Sequence, residues 1–244
     1  MEVYLNRVDG IDDAIISMFL SKRTLTRELE MDVRNEVAKC SNHTPGCQTA
    51  IGAIVNPSEK LDDWMKKLFK WGVRHYTMLR FIDLSFTVYG LHRGAQDDFD
   101  SHAMRMNNRI IRSSTRLADF SQGEMSEYYV GKIIPTDVAL TLLGVNTPDR
   151  LGYDGKGYVR TANGYILEEM KDNKDAKRGL YMLSIPSNFI SKIQLTEFAH
   201  IYKERNMESG ANPELKIAVE SMAEQASIAT GGFASKNLFK AIRN

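Results

Sequence analysis

Residues 81–117 read FIDLSFTVYGLHRGAQDDFDSHAMRMNNRIIRSSTRL, and this stretch decides how the rest of the chain is interpreted. Its first nine residues alternate, with apolar side chains at every second position from Ile82 to Val88. A period of two predicts a strand with one buried face. Gly90 is expected to end that strand, and the chain then enters a segment rich in charge.

Four arginines in that segment are spaced by four, three and four residues. They are Arg105, Arg109, Arg112 and Arg116. On a helix this spacing would place the guanidinium groups in one positive stripe. Two explanations stay open at this point. The nearby carboxylates of residues 97–100 could neutralise the stripe, or the arginines and the hydroxyl groups of residues 113–115 could bind phosphate.

The order of these features resembles the flavin-dependent thymidylate synthase (ThyX) family. A strand, a Gly-x-x-Arg-x-Ala turn, a short helix and a Ser-x-Arg pair follow one another here. The family signature is Arg-His-Arg, seven residues, then Ser-x-Arg. Placing Ser114 and Arg116 in the last part puts the triplet at Met104-Arg105-Met106, so methionine occupies both arginine positions.

Further segments resemble the family in the same order, between about residues 61 and 223. Residues 68–77 are similar to a helix end followed by Gly-His-x-Ser/Thr, with His75 and Thr77 in the last positions. Residues 127–135 are similar to the strand after the signature, and residues 178–186 to a stretch whose arginine position holds Met182. Residues 195–205 and 211–216 resemble a helix ending in arginine and the start of the next helix.

The resemblance implies a fold and a reaction. The expected fold is α+β, a small and mostly antiparallel sheet packed with several helices, in a single domain over residues 1–244. Family members are homotetramers that use FAD, NADPH and methylenetetrahydrofolate to methylate the uracil of dUMP. The flavin carries the redox and carbon-transfer chemistry. A homotetramer or homodimer that binds a pyrimidine nucleotide is therefore expected.

The resemblance also implies site residues. The dUMP-like nucleotide would be bound by Ser114, Arg116, Arg205 and Arg112. The flavin or its phosphates would be faced by His75, Thr77, Arg105 and Asn107. No catalytic side chain is assigned, because the family needs no cysteine nucleophile. Cys40, His43 and Cys47 lie close in the sequence but lack a matching fourth ligand, so no metal site is expected.

Amino-acid composition limits the classes of protein to which the chain can belong. The chain has 244 residues, 43% hydrophobic and 26% charged, which is typical of one globular domain. A net charge of +1 argues against a general nucleic-acid or membrane-surface binder, so any basic site must be local. No apolar run reaches about 18 residues and no signal peptide is evident, which predicts a soluble, cytoplasmic protein.

Patterning predicts the other elements. An N-terminal strand over 1–8 is followed by helices over 11–21, 26–38 and 58–73, with Thr26 and Ser58 as N-caps. Asn163-Gly164 between β-rich runs predicts a hairpin insertion around residues 150–170. A short helix is expected over 136–143 and a buried strand over 180–185 that ends at Pro186. Helices are then expected over 191–206, from Pro213 to Gly231, and over 235–242.

Three functions are consistent with these observations. The first is a divergent flavin-dependent thymidylate synthase, or a related one-carbon transferase acting on dUMP or a similar nucleotide. The second is a catalytically inactive homologue that binds nucleotide or serves as a structural subunit. The third is a nucleic-acid-binding protein that uses the stripe from Arg105 to Arg116.

Overall fold

A computed structural model describes residues 1–44, 49–101, 108–113, 158–161, 164–167, 186–207 and 212–242. The strands are β1 (Glu2–Asp9), β2 (Asp83–His92), β3 (Asn108–Arg112), β4 (Tyr158–Thr161), β5 (Gly164–Leu167) and β6 (Pro186–Gln194). The helices are α1 (Ile11–Ser21), α2 (Arg27–Cys40), α3 (Glu59–Gly72), α4 (Arg93–Ser101), α5 (Leu195–Tyr202), α6 (Pro213–Ala229) and α7 (Lys236–Ala241). A 3₁₀ helix, Tyr76–Phe81, precedes β2, and a π-helical turn, Lys203–Met207, follows α5.

The main sheet has four strands in the order β1-β2-β6-β3, and all its neighbours are antiparallel. Helices α4 and α6 pack against β2, and α5 packs against β6. The inward side chains of β2 are completely buried, as the alternation predicts. Phe86 meets Phe198 of α5 at 5.6 Å between ring centroids, and Phe198 meets Phe239 of α7 at 5.2 Å. The fold is therefore α+β with a small antiparallel sheet, which confirms the predicted class.

The opposite, outer face of the sheet is exposed. One cross-strand row on this face consists of Tyr4, Thr87, Ile190 and Ile111, one residue from each strand. Ile111 is 73% exposed and Ile190 is 47% exposed. The next row carries charge, because Lys192 pairs with Asp9 and Asp83, and Asp83 also pairs with Arg109.

Two sequence predictions about the strands are wrong. Gly90 does not end β2, because the strand continues to His92 through a bulge between Val88 and Leu91. Gly90 takes φ +73° there, and its N–H donates to Asn188 Oδ1 at 2.9 Å. The helix expected from residue 191 starts only at Leu195, because residues up to Gln194 form β6 at the centre of the sheet.

Helix boundaries follow local capping. The side chains of Thr26 and Ser58 accept backbone N–H groups at the starts of α2 and α3, as predicted. Asn212 caps α6, with Pro213 in the first turn. Gly10 takes φ +79° between β1 and α1, and a Cβ there would lie 2.0 Å from the Phe81 carbonyl oxygen. Only glycine fits this turn.

The predicted hairpin is present, since β4 and β5 pair antiparallel with Thr161 opposite Gly164. The helix expected over 136–143 and the strand expected over 180–185 lie outside the described residues. Within the described ranges, no helix is both long and apolar enough to cross a membrane.

Candidate active site

Arg205 lies in the π-helical turn after α5 and reaches the last turn of α4. Its Nη2 donates to the Asp98 carbonyl oxygen at 2.6 Å and to Ser101 Oγ at 2.8 Å. The residue is only 9% exposed, and its Nε has no hydrogen-bond partner. Among the described residues, no carboxylate forms an ion pair with it. A buried guanidinium held only by neutral groups retains its positive charge for an anion.

Arg112 approaches the same helix from β3. Its Nη2 donates to Asp100 Oδ2 and to the Gln96 carbonyl oxygen, both at 3.0 Å, and its Nη1 pairs with Asp97. The side chain is 16% exposed. Internal neutralisation, one of the two explanations for the arginine spacing, therefore applies to Arg112 in this chain.

The predicted arginine stripe does not form in the described part of the segment. Residues 108–112 are a strand, so Arg109 and Arg112 point to opposite faces of the sheet. Arg109 is 62% exposed and pairs with Asp83 at 2.9 Å. The nucleic-acid interpretation depended on a helical stripe, and that prediction is wrong for Arg109 and Arg112. Arg105 and Arg116 lie outside the described residues.

His75 and Thr77 lie together at the start of the 3₁₀ helix, and both are exposed. The imidazole ring is 5.6 Å from the ring of Trp71, measured between centroids. The 3₁₀ helix leads directly into Asp83, whereas Arg112 lies at the level of Val88. Asp83 and Val88 are five residues apart on β2, which is about 17 Å along the strand. Of the described site residues, His75 and Thr77 therefore lie at a different level of the sheet from Arg112.

The remaining predicted residues stay predictions. Ser114, Arg116, Arg105 and Asn107 lie outside the described residues, as do Met104, Met106 and Met182. Cys47 also lies outside them, and His43 Nε2 is 2.7 Å from the Ala38 carbonyl oxygen. Among the described residues, no group of three potential metal ligands occurs.

Sequence reasoning missed His92, which fixes the start of α4. Its Nδ1 accepts the Ala95 N–H at 3.1 Å, which leaves the proton on Nε2. Nε2 is 3.2 Å from Asn212 Oδ1 and 3.4 Å from Glu214 Oε2. His92 therefore joins the starts of α4 and α6, while Arg112 and Arg205 hold the end of α4. The only sequence signal was its place two residues after Gly90.

A cavity of about 670 Å³ lies beside β3. Its lining includes Ile110, Ile111 and Ile190, the hydroxyl groups of Ser85 and Ser191, and the charged groups of Asp100, Arg109 and Lys192. Ser191 is buried and its hydroxyl has no hydrogen-bond partner. Asp100 also binds Arg112, so this cavity reaches the last turn of α4.

The same arrangement of sheet and helices occurs in solved structures. The flavin-dependent thymidylate synthase ThyX from Helicobacter pylori, complexed with FAD and dUMP, is similar with a TM-score of 0.58 and 13% identity. That match covers 98% of this chain and 99% of the other. The chain has the ThyX fold. A second structure of ThyX from H. pylori with FAD and dUMP gives 0.57 and 14% identity, over 98% of this chain and 100% of that one.

A third solved structure is also similar. PolB from Streptomyces cacaoi, a UMP/dUMP methylase bound with 5-Br dUMP, has a TM-score of 0.53 and 11% identity. The match covers 99% of this chain and 95% of PolB. No family model and no curated protein matches the sequence. At these identities the likeness establishes the fold.

Proposed function

We propose that this chain binds dUMP or a similar pyrimidine nucleotide and acts on it as a divergent flavin-dependent thymidylate synthase or a related one-carbon transferase. The observation that carries the proposal is the buried guanidinium of Arg205, which lacks a paired carboxylate among the described residues. An unpaired buried charge is strongly unfavourable. A nucleotide phosphate would neutralise it, and both dUMP-bound ThyX structures have this fold.

Nucleotide binding at Arg205 uses the geometry of the guanidinium. Its Nη2 is fixed by the end of α4, so the group is held in place before a ligand arrives. The Nε is buried in this structure without a hydrogen-bond partner, and a planar guanidinium suits phosphate oxygens. Ser114 and Arg116 would complete the proposed nucleotide site. Arg112 reaches the same helix, but its charge is already neutralised by Asp97 and Asp100, so its predicted role in nucleotide binding is not carried into the proposal.

The cofactors FAD, NADPH and methylenetetrahydrofolate belong to the same proposal. FAD is supported by its presence in the H. pylori structures. An exposed imidazole beside the Trp71 ring suits a flat ring system. His75, Thr77, Arg105 and Asn107 would hold FAD, which supplies redox and carbon-transfer chemistry when bound.

A homotetramer or homodimer is part of the same proposal. His75 and Thr77 precede the Asp83 end of β2, whereas Arg112 is at the level of Val88, five residues or about 17 Å further along that strand. This separation supports a site that takes flavin-binding and nucleotide-binding residues from two copies. Each copy would then contribute its Arg205 side to one site and its His75 side to another.

The proposal is tested by replacing Arg205 with lysine. Lysine can still donate to the Asp98 carbonyl oxygen and preserve the end of α4, but it lacks the bidentate fork. Loss of one charge-assisted bond is worth about 1.5–3 kcal/mol, so dUMP affinity should fall at least about tenfold in calorimetry. The melting temperature should change little.

The matched control is Arg109→Lys, the same exchange at an exposed arginine paired with Asp83. This variant should bind dUMP like the original protein. If both variants bind dUMP equally well, Arg205 only caps α4 and the nucleotide site is elsewhere.

The inactive homologue is a second candidate, favoured by methionine at positions 104, 106 and 182. Purified protein that binds dUMP but shows no flavin absorbance, with or without added FAD, would favour this candidate. Yellow protein that consumes NADPH when dUMP is supplied would favour the transferase.

A further inference from the structure

A cationic surface lies at the ends of α1 and α3 and along the 3₁₀ helix, away from Arg205. Its cations are Lys22, Arg23, Lys70, Arg74 and Arg80, all exposed. Two acid-free parts of the chain, residues 14–27 and 64–82, supply them. None of the five pairs with a carboxylate among the residues that the structure describes. In a chain with a net charge of +1, this is a local excess of positive charge.

Other exposed lysines of α3 behave differently. Lys60, Lys66 and Lys67 pair with Asp32, Asp62 and Asp63 respectively. Such ion pairs are typical of a solvated helix face on which positive and negative side chains alternate. The last turn of α3 therefore differs from the rest of the same helix.

Aromatic rings lie among these cations. Lys22 Nζ is 4.2 Å from the centroid of the Trp71 ring, which joins the end of α1 to the end of α3. Arg80 lies 5.1 Å from the Tyr76 ring, and Phe81 is 53% exposed at the far end of the 3₁₀ helix. Cation and ring thus alternate along the surface.

We propose that the cationic surface binds single-stranded nucleic acid. Non-specific single-strand binders combine a positive track for the phosphates with aromatic side chains on which bases stack. The cations here are interleaved with the rings. Among the described residues of this surface, Leu20 and Phe81 are the exposed large apolar side chains, which are too few for the broad apolar face of a membrane anchor. This inference goes beyond the proposed function but shares Trp71 with the proposed flavin site, and it replaces the stripe of residues 105–116 with a different surface.

Binding is measured by fluorescence anisotropy with a labelled oligothymidylate of about 15 nucleotides, a length within single-strand site sizes. Neutralising four or five phosphates gives a salt slope of about −3. Affinity should therefore fall about 60-fold when salt rises from about 50 to about 200 mM. Trp71 fluorescence should be quenched, while the buried Trp64 gives a constant background.

The deciding comparison uses two triple variants. Lys22→Ala/Arg74→Ala/Arg80→Ala should weaken oligonucleotide binding at least about tenfold, because three phosphate contacts are lost. Lys60→Ala/Lys66→Ala/Lys67→Ala removes the same charge from ion-paired lysines and should leave affinity within about twofold. Trp71→Leu should also weaken binding. If the first triple variant does not fold, Arg80→Gln alone should still lower the affinity.

Several results would overturn the inference. These are absence of oligonucleotide binding, equal losses in both triple variants, or binding of the surface to anionic vesicles but not to the oligonucleotide. His75 and Thr77 border this surface, so FAD is the main competitor. If FAD displaces the oligonucleotide and only FAD binding falls in the first triple variant, the surface belongs to the flavin. The proposed dUMP site is at Arg205, so the dUMP affinity measured by calorimetry should be unchanged in both triple variants.

Discussion

Individual residues of this protein show how far chemistry can be assigned from type and spacing. Arg112 and Arg205 were both expected to bind an anion, yet Arg112 is satisfied by Asp97 and Asp100. Arg205 is held by neutral oxygens, and no carboxylate of the described residues pairs with it. The sequence identifies both as arginines but cannot show which groups fold against them, because those contacts connect residues 12 to 107 positions apart.

The ion pairs of Lys236 predict that part of the protein's stability depends on pH. It pairs with Glu220 and, at 3.0 Å, with Glu224. Hydrogen bonds to Glu220 and Glu224 raise the pKa of Lys236 above its usual range. Burial alone would raise the pKa of Glu220, but hydrogen bonds from Lys236, Tyr202 and Asn206 outweigh it and lower that pKa below 4.5.

We expect Lys236→Met to lower the free energy of unfolding at neutral pH by about 0.5–1 kcal/mol, since both partners are over a third exposed. Because the pKa of Glu220 is lowered by folding, the contribution is present above 4.5 and disappears as pH falls through the lowered value. It also disappears as pH rises through the raised pKa of Lys236, above 10.5. Urea titrations across this range measure the difference.

Lys240→Met is the control, because Lys240 is an exposed lysine on the same helix. Its effect on the free energy of unfolding should be small. A Lys236→Met deficit that persists unchanged at pH well below 4.5 would mean that lost packing, rather than charge, causes it.

Among the elements, β6 shows where patterning succeeds and fails. Strong alternation made β2 predictable and helical spacing made α1 predictable. The N-caps Thr26 and Ser58 indicated α2 and α3, and Pro213 indicated the start of α6. In β6 the inward positions are Ser187, Phe189, Ser191 and Ile193, so two of four are small and polar. Apolar residues from 193 onward continue at helical spacing, which favoured a helix. The strand exists because both of its edges pair, with β2 and with β3, and a single segment cannot display that.

Ser191 allows a test of how the inward face of β6 contributes to stability. Ser191 is 1% exposed and its hydroxyl has no partner, so Ser191→Ala should leave stability unchanged or raise it by up to about 1 kcal/mol. Phe189→Ala, two residues away on the same face, should lower it by about 3–5 kcal/mol. Phe189 lies 5.4 Å from Phe99 between ring centroids.

Chemical denaturation of both variants gives the comparison. A clear loss of stability in Ser191→Ala would indicate that the hydroxyl is bonded to a buried water, and the interior beneath α4 would then be wet.

In the whole molecule, the expected α+β fold is confirmed, although the sequence could not place the sheet order or its exposed face. The row of Tyr4, Ile190 and Ile111 lies beside Lys192 and Arg109, which are ion-paired with Asp9 and Asp83 further along the sheet. Such a face can be covered by a second copy without burying unpaired charge. It is therefore our expected contact in the proposed homotetramer or homodimer.

Ile111→Glu should shift the protein toward smaller species in sedimentation velocity, with a dissociation constant raised at least about tenfold by a carboxylate buried without a partner. Ile228→Glu places the same charge on α6, where Ile228 is 58% exposed. This control should sediment like the original protein. Equal behaviour of the two variants would remove the outer sheet face from the assembly.

The pairing of β2 with β6 also has a consequence for synthesis. Phe86 faces Ser191, so the ribosome adds about a hundred residues after one before the other is made. At about 5–20 residues per second, β2 waits about 5–20 s with one edge open and its apolar face uncovered by α5. During that time the nascent chain exposes an unpaired, aggregation-prone strand. The yield of folded protein in cells should therefore depend on the chaperone concentration, and it should rise when the second half of the chain is translated faster.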